Sequence, residues 1–74
     1  MRVTVRVIGP LAYAAGFSEK DLTFPGPATA GELLSRVNVA KRPTIVTRNG
    51  RAVSPLDALD EGDRIVISPI YSGG

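Results

Sequence analysis

The chain has 74 residues, no cysteine, no histidine and nine basic against seven acidic side chains, a formal charge of +2. That length makes one domain near the lower limit for a single hydrophobic core, and the composition excludes disulfides, cysteine-ligated zinc, cysteine nucleophiles and histidine general bases. Autonomous catalysis is not expected, because activating a serine or threonine hydroxyl would fall to a lysine or carboxylate and no spacing in the chain suggests such a set.

Residues 2 to 8, RVTVRVI, alternate with Val3, Val5 and Val7 on one face and Arg2, Thr4 and Arg6 on the other, which predicts a strand covered on one side. Gly9-Pro10 stops it, and LAYAAGFSE is too short and glycine-interrupted for a long helix, so a loop with at most one helical turn is expected. A second strand from Lys20 to Phe24 turns Leu22 and Phe24 inward and Asp21 and Thr23 outward, until Pro25-Gly26-Pro27 ends it. Two strands so closely joined predict an antiparallel hairpin.

TAGELLSRV carries the best helix signal, with Thr29 at the cap, Glu32 three positions later in capping-box spacing, and Leu33, Leu34 and Val37 on one stripe. So short a helix depends on packing against the sheet. Gly31 within it costs up to ~1 kcal/mol relative to alanine. After Lys41-Arg42-Pro43, a loop read as solvated or as part of a basic docking surface, TIVTRNGRAV reads as a strand, an Asn49-Gly50 turn and a short return strand. In LDALDEGD, Leu56 and Leu59 are expected to plug inward, and Asp60-Glu61-Gly62-Asp63 reads as an acidic turn rather than a cation site, since it lacks further oxygen-donor spacing. The last strand, Arg64 to Ile70, is largely apolar on both faces, which places it centrally in its sheet.

The chain closes on Tyr71-Ser72-Gly73-Gly74. Taken alone, this ending is a frayed terminus or cloning remnant as readily as a functional device. In chain order, however, VRVIGPLAYAAG, TAGELL, RNGRAV, LDEGDRIVISPI and the final SGG resemble the ubiquitin-like sulfur carriers of the ThiS/MoaD family, and the resemblance spans the whole chain. It implies an α+β, ubiquitin-like β-grasp fold, a mixed sheet of about four to five strands with one helix packed across one face. Residues 1–70 would form that domain and residues 71–74 a flexible diglycine tail.

The resemblance also implies a sulfur carrier that is a cosubstrate rather than an enzyme. A free α-carboxyl has a pKa of about 3.3–3.7, so near pH 7 it is an anion and a poor electrophile. In the family resembled, an adenylating enzyme of the ubiquitin-activating type uses ATP to activate the terminal glycine, and sulfur from a donor then gives a thiocarboxylate. Gly74 would bear that chemistry, and Gly73, without a Cβ, would let the tail pass through a narrow channel. The carrier itself would hold no cofactor and no metal.

GPLAYAAG favours the MoaD side, the small subunit of molybdopterin synthase, with a synthase large subunit as a further partner. The alternatives are a ThiS-like carrier for the thiazole of thiamin, for tRNA thiolation or for cysteine, or a modifier conjugated through Gly74. Tyr71 either anchors the tail on the domain or touches a partner. The open sheet face leaves Arg6 and Arg48 to steer an acidic partner or simply to be solvated. Dispersed charge, with no row of aromatics on a strand, speaks against nucleic acid. A start on a strand, and no apolar run near the ~20 residues that cross a bilayer, imply no membrane and a cytoplasmic protein.

Overall fold

The alternation at the start of the chain becomes β1 (Arg2–Val7), with Val3, Val5 and Val7 buried, in a computed structural model that describes residues 1–70. The other elements are α1 (Leu11–Ala15), β2 (Glu19–Thr23), α2 (Ala30–Arg36), β3 (Thr44–Arg48), β4 (Arg51–Ala52) and β5 (Arg64–Pro69). The five strands form one sheet in the order β2-β1-β5-β3-β4. β1 pairs antiparallel with β2 and parallel with β5, while β3 pairs antiparallel with both β4 and β5, so the sheet is mixed and its last strand is central.

The core lies on one face of this sheet. Val3, Val5, Val7, Ile65, Ile67 and Val46 meet Leu33, Leu34 and Val37 there, and Leu22, Phe24 and Leu59 close the edges. Each such side chain contributes about 1.5–3 kcal/mol on full burial. α2 spans seven residues and would not persist alone; its apolar stripe holds it. Thr29 caps it, its hydroxyl accepting from the Glu32 amide at 3.2 Å. No bond from the Thr29 amide to the Glu32 carboxylate accompanies it, and the segment around the cap pairs with the 54–59 loop: Thr29 bridges to Ala58, the Ala30 amide donates to Asp57 at 2.9 Å and the Leu59 amide to Ala28 at 2.9 Å.

Two details differ from expectation. The helical turn expected after Pro10 is a five-residue helix, α1, which takes up most of what was read as loop; no side chain caps its start, and it rests on buried Leu11 and on Gly16, which ends it at φ +87° with its amide donating to Ala12 at 2.8 Å. Leu56 does not plug inward but is 88% exposed, whereas Leu59 is buried. The turn explains it: Asp57 accepts from the Ser54 amide at 2.8 Å and donates its own amide back to Ser54 at 3.0 Å, which turns the residues between them outward.

Candidate functional site

Because β1 and β5 run parallel, they finish at the same end of the sheet, and β3, antiparallel to β5, begins there. The Ile8 amide donates to Ile67 at 2.9 Å and Thr44 pairs with Pro69, so the chain is held from both sides up to the end of β5. Ile70 follows, 51% exposed. Gly73 and Gly74, the expected site residues, and Tyr71 beside them lie outside the described residues. What the structure positions is their point of departure.

Around that point the folding pattern collects a distinct set of residues. α1 packs on β1 and β5 and carries Tyr13, 92% exposed. On the sheet face opposite α2, the alternation of β3 and β5 brings out Ile45 and half-buried Val66, and the register sets Arg6 beside Val66. Lys41 and Arg42, just before β3, line with Ser35, Asn38 and Ala40 a groove of about 400 Å³.

The start of β5 is fixed by a different device. Asp63, only 4% exposed, accepts from Arg48 Nε at 2.6 Å, from Asn49 Nδ2 at 3.0 Å and from the Asp60 amide at 2.7 Å. Burial pushes its carboxyl upward, but the amide of Asp60, the side chain of Asn49 and the Arg48 guanidinium outweigh this and hold it below its ordinary value. The acidic turn is thus a clasp on the β3–β4 hairpin, its inner oxygens already occupied by donors, and among the described residues no group of three or more His, Cys, Asp or Glu is arranged to hold a metal ion.

Arg48 consequently is not a solvated steering residue. The register sets it opposite Ile65, on the α2 side of the sheet, where it also meets Asp60 at 2.6 Å. Nothing local in the sequence announces Asp63 as the hub, since its partners come from a hairpin fourteen residues earlier. Arg6 is exposed and in no ion pair among the described residues. No helix of the described residues is long and apolar enough to cross a membrane.

A family model described as the ThiS family matches residues 5–74. The fold is similar to that of SAMP1 from Haloferax volcanii, with a TM-score of 0.82, 25% identity and 100% of both chains covered. It is similar also to a protein assigned as molybdopterin converting factor subunit 1 from Pyrococcus furiosus, with a TM-score of 0.83, 20% identity and coverage of 96% of this chain and 99% of that one. A third likeness is to the HVO 2177 protein of Haloferax volcanii, with a TM-score of 0.80, 27% identity and coverage of 100% of this chain and 87% of the other. No curated protein matches the chain.

Proposed function

The chain belongs to the ThiS family, and on that premise we propose that it carries sulfur as a thiocarboxylate on Gly74, with molybdopterin as the sulfur acceptor. Members of this family are small carriers rather than catalysts and work with activating enzymes and synthase partners. The observation that carries the proposal is the reach of the match, which runs through residue 74 and so includes the diglycine. GPLAYAAG supports the molybdopterin acceptor over thiazole, tRNA or cysteine.

The chemistry follows from the carboxylate. One of its oxygens attacks the α-phosphorus of ATP in the activating partner, pyrophosphate leaves, and the acyl group becomes electrophilic. The outer sulfur of a persulfide on the donor then adds to the carbonyl carbon and AMP departs with the electron pair of the broken C–O bond, giving an acyl disulfide. A second thiol attacks the donor's inner sulfur and forms a disulfide with it, and the electron pair of the broken S–S bond leaves on the acyl sulfur as the thiocarboxylate. This chain supplies the acyl group and a narrow tail: Gly73 and Gly74 have no Cβ to obstruct a channel, and the four residues beyond Ile70 span at most ~13–14 Å.

Intact mass decides it. After incubation with the adenylating enzymes of its host, ATP and a sulfur donor, the full chain is expected to gain the mass difference between sulfur and oxygen, and a chain lacking Gly74 to gain nothing. Absence of the gain in the full chain overturns the proposal. The likeness to SAMP1, a small archaeal modifier protein, at 25% identity favours one second reading, a modifier joined through Gly74 to other proteins. Its signature is an adduct on a lysine in cell extract, which the carrier alone does not produce.

A further inference from the structure

The chain has two asparagines, Asn38 and Asn49, and both sit at positive φ, +66° and +51°. Their successors differ. Val39 is buried, and its amide donates to Leu34 at 3.1 Å. Gly50 is exposed, has nothing within 4 Å of where a Cβ would stand, and its amide donates to no group among the described residues. A main-chain nitrogen left free beside an asparagine is a nucleophile next to a carboxamide, and its closure onto Cγ makes a cyclic imide.

The folded hairpin restrains that carboxamide. Both of its ends are fixed on the start of β5: Nδ2 donates to Asp63 at 3.0 Å and Oδ1 accepts from the Arg64 amide at 2.9 Å. The Asn49 amide donates in turn to the Arg64 carbonyl at 2.8 Å. Ring closure requires Cγ to swing over the Gly50 nitrogen, which breaks both side-chain bonds and changes the torsions that the tight turn imposes. The tip can peel away while the rest of the sheet stays paired, because β4 is an edge strand of two exposed residues.

We propose that Asn49 is a modification site guarded by the Asp63 clasp. When the hairpin tip opens, the Gly50 nitrogen gives its proton to solvent base and attacks Asn49 Cγ; a C–N bond forms, and Nδ2 takes a proton from water and leaves as ammonia. Water then opens the imide at either carbonyl, giving aspartate or its β-linked isomer, with no change of oxidation state. Both products undo the clasp. Aspartate sets a carboxylate against Asp63 where a donor stood at 3.0 Å, and like charges this close repel. The isomer adds a methylene to the main chain of a turn whose geometry admits two residues of fixed torsion. The reaction thus marks, irreversibly, the copies that have opened at the start of the central strand, and loosens that strand in them. It proceeds alike whatever cargo Gly74 bears.

Peptide mapping by mass spectrometry, on the full chain incubated for days at mildly alkaline pH in buffer and in denaturing urea, tests the site. Asn49 is expected to convert about tenfold or more faster in urea than in buffer. In urea it is also expected to outpace Asn38 of the same chain, where the β-branched Val39 crowds ring closure. In buffer, Asp63→Asn is expected to raise the Asn49 rate about tenfold. A carboxamide has one oxygen for the three donors that Asp63 serves, so its NH2 group turns toward Asn49 Nδ2. Thr29→Ala, at the cap of α2, is expected to stay within about twofold of wild type. Circular dichroism verifies the fold of each variant, and the comparison of buffer with urea decides without any substitution. Equal rates in buffer and urea, Asn38 converting as fast as Asn49 in urea, or equal acceleration by the two variants overturns the proposal. Asn49→Asp is expected to melt below wild type, and an unchanged melting temperature overturns the loosening of β5.

Discussion

Asp63 concentrates three hydrogen bonds on one buried carboxylate, and the opposing effects on its proton affinity set a measurable dependence on acid. Its ordinary value is 3.8 and the fold holds it lower. A carboxylate lowered by folding gives its full stabilisation above about pH 5 and loses it as pH falls through the lowered value. Melting temperature is therefore expected to decline below about pH 4. Asp63→Asn is expected to lose about 2 kcal/mol at neutral pH, roughly 8–16 °C for a domain this small, and to show a shallower decline in acid. Some slope should survive in the variant, because Asp21, held low by the Thr4 hydroxyl and by Arg2, titrates in the same direction. A variant with the full wild-type slope would show that Asp63 is not the residue responsible.

The elements differ in how much of their cause is local. The β3–β4 hairpin needs two adjacent residues at positive φ, and Asn49 and Gly50 provide them at +51° and +87°; that demand lies within two positions, so the sequence displays it openly. α2 is legible for the same reason, since its cap and stripe are written within one turn of each other. Gly31 is not. A Cβ there would meet the Pro55 carbonyl oxygen at 3.0 Å and the Pro55 Cβ at 3.2 Å, and its amide donates to that same carbonyl at 2.9 Å, so the glycine answers to a loop two dozen residues away. Gly31→Ala is expected to lower the melting temperature despite a helix-propensity gain of up to ~1 kcal/mol; a rise would show that Pro55 yields freely. Thr29→Ala is expected to cost about 1 kcal/mol, read by chemical denaturation. The full extent of α1 and the outward turn of Leu56 are not legible because neither has a periodic pattern: one is five residues resting on Leu11 and Gly16, the other is set by the mutual bonds of Ser54 and Asp57.

For the whole molecule, the mixed sheet and the central place of the last strand were legible because Arg64 to Ile70 is apolar on both faces, a pattern that only an interior strand tolerates. The family was legible in another way, through the order of short segments that ends on the diglycine, and the surroundings of the strand ends were not. Ile45, Val66 and Arg6 come to one face only through the strand register, which no single segment contains. Removing residues 64–74 is expected to abolish cooperative unfolding altogether, whereas removing Gly73 and Gly74 is expected to leave it intact; the first outcome is read by calorimetry and fails if a sharp transition persists.

The place of β5 also has a bearing on synthesis. Without it the β1–β2 and β3–β4 pairs do not touch within the sheet, and two-stranded ribbons are at best marginal in water. On the ribosome, folding must then wait until β5 has cleared the exit tunnel. A copy terminated before β5 stays open to proteases, so the last strand to be made is also the one that closes the domain.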